Sequence, residues 1–320
     1  MQGKIAVEEH FAIAETADDK VRWPTSYWAG LNGKLLDFDR RLAEMDQGGI
    51  DIAVLSLNAD GIQAIPDAAK AIEMARRTND ALAKAVGKRP DRFAALAALP
   101  LQDPQAATAE LQRCVRDLKF KGALANGFSQ TGTADTAIYY DLPQYRPFWA
   151  EVERLGVPFY LHPRYPLPGR RAAYDGHPWL VASAWGFAEE TALHALRLMG
   201  SGLFDAFANL QIVLGHLGER IPYDLWRLDH RLAKVPNRPA KKTIRDYLRH
   251  NFHVTTSGHF STPSLIHAIL TMGADRIMFA VDYPFEDHAQ AAGWFDGAEI
   301  AEQDRIKIGR ANARALFGLR

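Results

Sequence analysis

The sequence is poor in cysteine, in net charge and in long apolar runs, and each shortage excludes something. Its one cysteine, Cys114, cannot close a disulfide within the chain, so a reducing compartment, the cytoplasm, is expected. The 38 lysines and arginines balance 38 aspartates and glutamates. A net charge of zero offers no general attraction to nucleic acid or to an anionic membrane surface, and neither is expected as a partner. No apolar run approaches the roughly 20 residues of a membrane-spanning helix. The opening MQGKIAVEEHF puts two glutamates where a secretory signal needs an apolar core. A Gly-rich dinucleotide fingerprint and a phosphate loop are both missing after the first apolar run, which weakens an open doubly wound sheet.

What is present is globular. Of 320 residues, 48% are hydrophobic and 24% charged, an ordinary composition for a packed chain. No linker, repeat or low-complexity tract divides it, so a single domain over 1–320 is expected. Eight short aliphatic runs read as strands: 4–8, 52–57, 93–99, 122–125, 158–161, 211–215, 253–257 and 276–281. Most are continuously apolar, as strands buried on both faces should be. Helical patterns lie between them. One over 66–86 puts Ile72, Ala75, Asn79, Leu82, Ala83 and Val86 on one face, with Pro66 in its first turn. Asp103-Pro104 opens the next, striped by Leu111, Cys114, Val115 and Leu118, and Thr262-Pro263 opens another before Leu265, Ile266, Ile269 and Leu270. Eight alternating units predict a (β/α)₈ TIM barrel. Long connections rich in Pro, Gly and aromatics, 126–147 and 163–178, follow strands four and five, on the face where barrels carry their sites.

Metal-capable side chains fall at that same face. Glu8 and His10 close the first strand, spaced by two, so both project to one side. His162 closes the fifth strand, His216 the sixth and Asp282 the eighth. Singly, a histidine after a strand more often caps or packs than ligates, and Asp282 before Tyr283-Pro284 could merely start a turn. Together they form five polar coincidences around one barrel mouth. His194 and His267 sit in helical patterns and read as structural. His230, His250, His253, His259 and His288 show no partner spacing, and His177 lies in the second long loop. Cys114, on an apolar helix face, reads as a buried small hydrophobe.

Glu8-x-His10, FYLHPR at 159–164, LGHLGE at 214–219 and MFAVDYPFE at 278–286 resemble the metal-dependent decarboxylases of the amidohydrolase superfamily. The likeness runs over nearly the whole chain. GFSQ at 127–130 and YYDLPQYRPFW at 139–149 are similar to the branch acting on 2,6-dihydroxybenzoate. KKTIRDY at 241–247 and TTSGHFST at 255–262 are similar to the branch acting on 2,3-dihydroxybenzoate. The resemblance implies an amidohydrolase-type barrel in which Glu8, His10, His162 and Asp282 bind one divalent metal, with His216 and Glu219 paired beside it. It implies substrate contacts by Arg227, Trp23, Asn126 and Phe285, no organic cofactor, and a homotetramer. Hydrolytic members usually open with His-x-His and carry a lysine after the fourth strand to bridge two metals. Here Glu8 stands first and Ala125-Asn126 ends that strand, which favours one metal. Two nitrogens and two carboxylates suit zinc, manganese or magnesium.

Decarboxylation suits such a site. The ring carbon bearing the carboxylate must be protonated before carbon dioxide leaves, and Asp282 or His216 could supply the proton. An ortho-hydroxybenzoate presents two oxygens to one cation, and two anionic ligands plus a divalent ion sum to zero. The resemblance implies reversible conversion of 2,6-dihydroxybenzoate to resorcinol and carbon dioxide, with a 2,3-dihydroxybenzoate or salicylate decarboxylase as the alternative. A metal-dependent hydrolase or lactonase on the same barrel is the second alternative, and a non-catalytic binding protein the third.

Overall fold

The structure, a computed structural model, describes residues 1–17 and 25–319. In chain order its strands are β1 (Lys4–Phe11), β2 (Ile50–Leu57), β3 (Phe93–Ala95), β4 (Ala97–Ala98), β5 (Ala123–Asn126), β6 (Ser129–Thr131), β7 (Thr133–Ile138), β8 (Phe159–His162), β9 (Ile212–Leu214), β10 (Phe252–Thr255) and β11 (Ile277–Met278). All pair in parallel except β6 and β7, an antiparallel hairpin. The order β1-β2-β3 continues into β4-β5-β8-β9-β10-β11, because β3 and β4 are one stave interrupted at Leu96. The wall closes where the last stave reaches the first. There the Asp282 N–H donates to the Glu8 carbonyl (3.1 Å) and the His10 N–H to the Tyr283 carbonyl (2.7 Å). The expected barrel is present, with helices outside it.

The floor of the barrel is apolar. Ile5, Val7, Val54, Leu96, Leu124, Val213 and Met278 fill the interior, and Ala313 and Phe317 from the last helix pack against them. The outward faces, Ala6, Leu55, Ala123, Phe159 and Ile212 among them, join the larger core under the helices. One irregularity positions the site. Between Ala6 and Glu9, β1 spends three residues where β2 spends two, from Ala53 to Leu55. This bulge shifts the side-chain phase by one. Ile5 and Val7 point into the barrel, and so do Glu8 and His10.

Several boundaries differ from the sequence reading. Asp67, not Pro66, starts the helix Ala68–Lys88: its carboxylate accepts from the Lys70 N–H at 2.9 Å, leaving Pro66 outside. Ser261 caps the helix Thr262–Met272, and Ile266 and Leu270 face outward there rather than the core. Asp103 caps Pro104–Arg116 as expected, and Cys114 is buried. The first long connection is no plain loop, since it holds β6 and β7 and gives way to a helix at Arg146–Leu155. The second runs on to the helix Gly186–Gly200 through 3₁₀ turns at Pro168–Tyr174 and Pro178–Leu180.

Candidate metal centre and active site

Glu8, His10, His162 and Asp282 meet at the mouth, each offering one ligand atom, all within 4.8 Å of one another. His162 Nε2 lies 3.2 Å from Glu8 Oε1, and His10 Nε2 lies 3.1 Å from Asp282 Oδ1. Glu8 Oε1 and His10 Nε2 are buried without any hydrogen bond. Orphaned buried polar atoms are costly and rare, and two of them aimed at one point fit a cation held there. Two imidazoles and two carboxylates form an ordinary donor set for a divalent ion.

Neighbours fix these groups. The His162 Nδ1–H donates to Asn126 Oδ1 at 2.7 Å, which leaves the Nε2 lone pair facing the cluster. Asn126 is held in turn by donation to the Leu57 carbonyl (3.3 Å). Gly61, at φ +60°, permits this approach, because a Cβ there would sit 2.5 Å from Asn126 Nδ2. Glu8 Oε2 accepts from the hydroxyls of Tyr160, Thr255 and Ser257. Glu9, between the two β1 ligands, points the other way: its carboxylate accepts from the Val281 N–H (3.1 Å) and pairs with His288 Nε2 (2.8 Å). That pair ties β1 to the segment carrying Asp282.

Charge follows from the same contacts. Burial would raise Glu8, but His216, His162 and His10 hold it well below the ordinary carboxylate range. Burial likewise works to raise Asp282, and His10 and His216 lower it. His162 is lowered by burial and by neighbouring His10. Burial opposes a charge on His216, yet Glu219 and Glu8 push it well above its usual value. His216 Nδ1 meets Glu219 Oε1 at 2.7 Å, while its Nε2 stands 3.8 Å from Glu8 Oε1 and 3.6 Å from Asp282 Oδ2. The backbone here is unusual: φ is +50° at His216, +54° at Leu217, +51° at Glu219, +69° at Arg220 and +79° at Asp282. Such residues cost about 1–3 kcal/mol each and persist where the surroundings over-determine them, as at active sites.

A profile of the amidohydrolase family matches residues 26–319. The chain belongs to that family. It is 62% identical over 324 residues to the gamma-resorcylate decarboxylase of Rhizobium sp. (strain MTP-10005), an alignment covering 100% of this chain and 99% of that one. It superposes on a crystal structure of 2,6-dihydroxybenzoate decarboxylase complexed with 2,6-dihydroxybenzoate with a TM-score of 0.97, at 62% identity and full coverage of both chains. A dihydroxybenzoic acid decarboxylase from Polaromonas sp. JS666, solved with manganese and the inhibitor 2-nitroresorcinol, superposes with a TM-score of 0.96. That match is at 55% identity and covers 100% of this chain and 98% of the other.

Within this amidohydrolase site the remaining expectations divide. Phe285 stands beside the cluster, its ring 5.9 Å from that of His10. Asn126, expected to touch substrate, is buried and committed to His162, so its visible task is to orient a ligand. Arg227 shares a cleft with Glu219, the partner of His216. It is exposed on the helix Ile221–Leu232, and the cleft, of about 710 Å³, is also lined by Arg170, Tyr174, Glu189 and Arg231. The helical phase of LWRLDH turns it outward once Leu225 takes the buried position. Trp23 lies outside the described residues. The sequence reading missed Tyr160, Thr255, Ser257, and the pairing of Glu9 with His288. Thr255 and Ser257, spaced by two at a strand end as Glu8 and His10 are, were the legible signal.

Proposed function

We propose that the chain catalyses the reversible, non-oxidative decarboxylation of 2,6-dihydroxybenzoate to resorcinol and carbon dioxide. It is a carboxy-lyase, acting as one amidohydrolase-type domain over 1–320, with one manganese ion held by Glu8, His10, His162 and Asp282. The observation that carries this reading is the buried four-ligand cluster beside the His216–Glu219 pair, in a chain 62% identical along its whole length to gamma-resorcylate decarboxylase. The bound ion supplies a Lewis acid able to draw a carboxylate and an ortho oxygen to one side of the ring.

The chain's own residues do the rest. Asp282 takes up the proton that His216 holds and passes it to the ring carbon bearing the carboxylate. The carbon–carbon bond then breaks, its electron pair returns to the ring, and carbon dioxide leaves. His216, held by Glu219, is the proton store that recharges Asp282 across the 3.6 Å between them. Phe285 walls the pocket, with Trp23 a further wall candidate. Asn126 keeps His162 in the right tautomer.

The assembly we propose is a cytoplasmic homotetramer. Tyr223, Trp226 and Leu270, 79%, 68% and 75% exposed, lie on two adjoining helices linked by the Tyr223–His267 ring contact at 5.6 Å. An apolar surface of that kind suits cover by another copy. No described helix is long and apolar enough to cross a membrane.

The test is turnover by the manganese-loaded protein of salicylate, 4-hydroxybenzoate and the 2,3-, 2,4- and 2,6-dihydroxybenzoates. The 2,6-isomer should be fastest and 4-hydroxybenzoate inert. In heavy water the phenol should carry deuterium at the former carboxylate position. Comparable turnover of 4-hydroxybenzoate, or two ions per chain, would overturn the proposal.

A further inference from the structure

The two oxygens of Glu8 live in opposite surroundings. Oε1 is buried without a hydrogen bond and faces His162 and His216. Oε2 is saturated. It accepts from the Tyr160 phenol, from Thr255 Oγ1 at 3.1 Å and from Ser257 Oγ. The three hydroxyl oxygens are packed together, Thr255 Oγ1 lying 3.0 Å from the Tyr160 oxygen and 2.9 Å from Ser257 Oγ, so their three protons are best used when all point at Oε2. All four side chains are buried, so water does not compete. Gly215 keeps the space free, since a Cβ there would lie 2.8 Å from Oε2. Ser257 Oγ further accepts the His216 N–H at 3.2 Å, which anchors the proton-carrying histidine to the same cage.

An anionic oxygen accepting three donors has little left to give a cation, while its bare twin has everything to give. We propose that Tyr160, Thr255 and Ser257 are positioning residues that withdraw Oε2 and make Glu8 a one-oxygen ligand. The consequence rests on the proposed chelation of an ortho-hydroxybenzoate. Each of the four protein ligands then fills one position. An ion that prefers about six donors would then have room for a carboxylate and an adjacent oxygen. A Glu8 free to bind through both oxygens would take part of that room.

The test uses the full chain with Ser257→Ala and Thr255→Val combined, and Thr255→Ser as the conservative control. Mn²⁺ affinity is read by chelator competition without substrate. The preference for salicylate over 4-hydroxybenzoate is read as a ratio of dissociation constants on the Mn²⁺-loaded protein. The double variant should bind Mn²⁺ on the order of 10–100-fold more weakly, as losses around ligands generally do. Its preference ratio should fall by about 10-fold, as expected for one lost contact of roughly 1.4 kcal/mol. The metal-free double variant should stay folded with a lowered unfolding temperature, since a buried carboxylate loses two donors, and Thr255→Ser should keep wild-type values. A double variant with wild-type affinity or a wild-type ratio overturns the cage, whatever the substrate. A wild-type chain that binds Mn²⁺ tightly but turns over no hydroxybenzoate overturns the proposed reaction and leaves the affinity measurement decisive for the cage.

Discussion

The two ends of the barrel interior are built on opposite principles. At the floor, Ile5, Val7, Val54, Leu124, Val213 and Met278 close on Phe317 in one apolar cluster. At the mouth, a few residues further along the same strands, carboxylates and imidazoles crowd together, two buried atoms lack partners, and five non-glycine residues stand at positive φ. The floor resembles any well-packed core and supplies stability by burying apolar area. The mouth gives stability up: unpartnered buried groups and strained backbone are tolerated only because the floor and helices hold the strand ends fixed. Function and stability are thus divided along the barrel axis, and that division can be tested.

The largest expected effect is at the mouth. Asp282→Asn should lower kcat by about 10³-fold or more, the scale of a lost proton donor, in protein shown to retain its metal. His216→Asn should be impaired less, because it removes the proton store and leaves the donor. Near-normal turnover by metal-replete Asp282→Asn would pass the donor role to His216. Steady-state kinetics with parallel metal analysis decides between them.

The complementary change is at the floor. Phe317→Ala should cost about 3–4 kcal/mol of stability, as large-to-small core substitutions do. Activity per folded, metal-loaded molecule should stay unchanged. Denaturant unfolding beside kcat checks both halves, and a large fall in kcat at full folding would break the division.

The smallest effect lies away from both ends. Burial and the nearby Arg197 charge push His194 down from 6.5 to about 3. Its folded value lies below its unfolded one, so between those values the unfolded chain binds the extra proton. Stability therefore falls as pH drops from about 6.5 toward 3. His194 Nε2 accepts the Tyr140 N–H at 3.2 Å, and His194→Gln can keep an acceptor there while removing the titration. Unfolding temperature should decline less steeply between pH 6 and 4.5, roughly the upper half of that window, in the variant than in the wild type. Parallel slopes would assign the acid sensitivity elsewhere.

The staves were legible because both faces of each strand are buried, so the runs at 52–57 and 158–161 are apolar but for Ser56 and the Tyr160 hydroxyl. The ligands were legible because Glu8, His10, His162 and Asp282 interrupt those runs at one end. Helix starts were less so: at 66–67 and 261–262 two residues could each begin the helix, and the capping hydrogen bond chose between them. Arg227 shows the limit from the other side: its charge was legible in the motif, but the cleft it shares with Glu219 depends on which helix face it occupies.

By itself the sequence determined the alternation of strands and helices, the barrel it closes into, and which metal-capable side chains stand at strand ends. Those are properties of residue type and local spacing. Only the tertiary structure decided that a bulge in β1 turns Glu8 and His10 inward while Glu9 turns out to His288. It alone decided that Asn126 serves His162, and that hydroxyls from β8 and the end of β10 close over one oxygen of Glu8. The physical reason is the same in each case. A side chain's direction depends on register, and its partner lies tens to hundreds of residues away, joined only when the last stave meets the first.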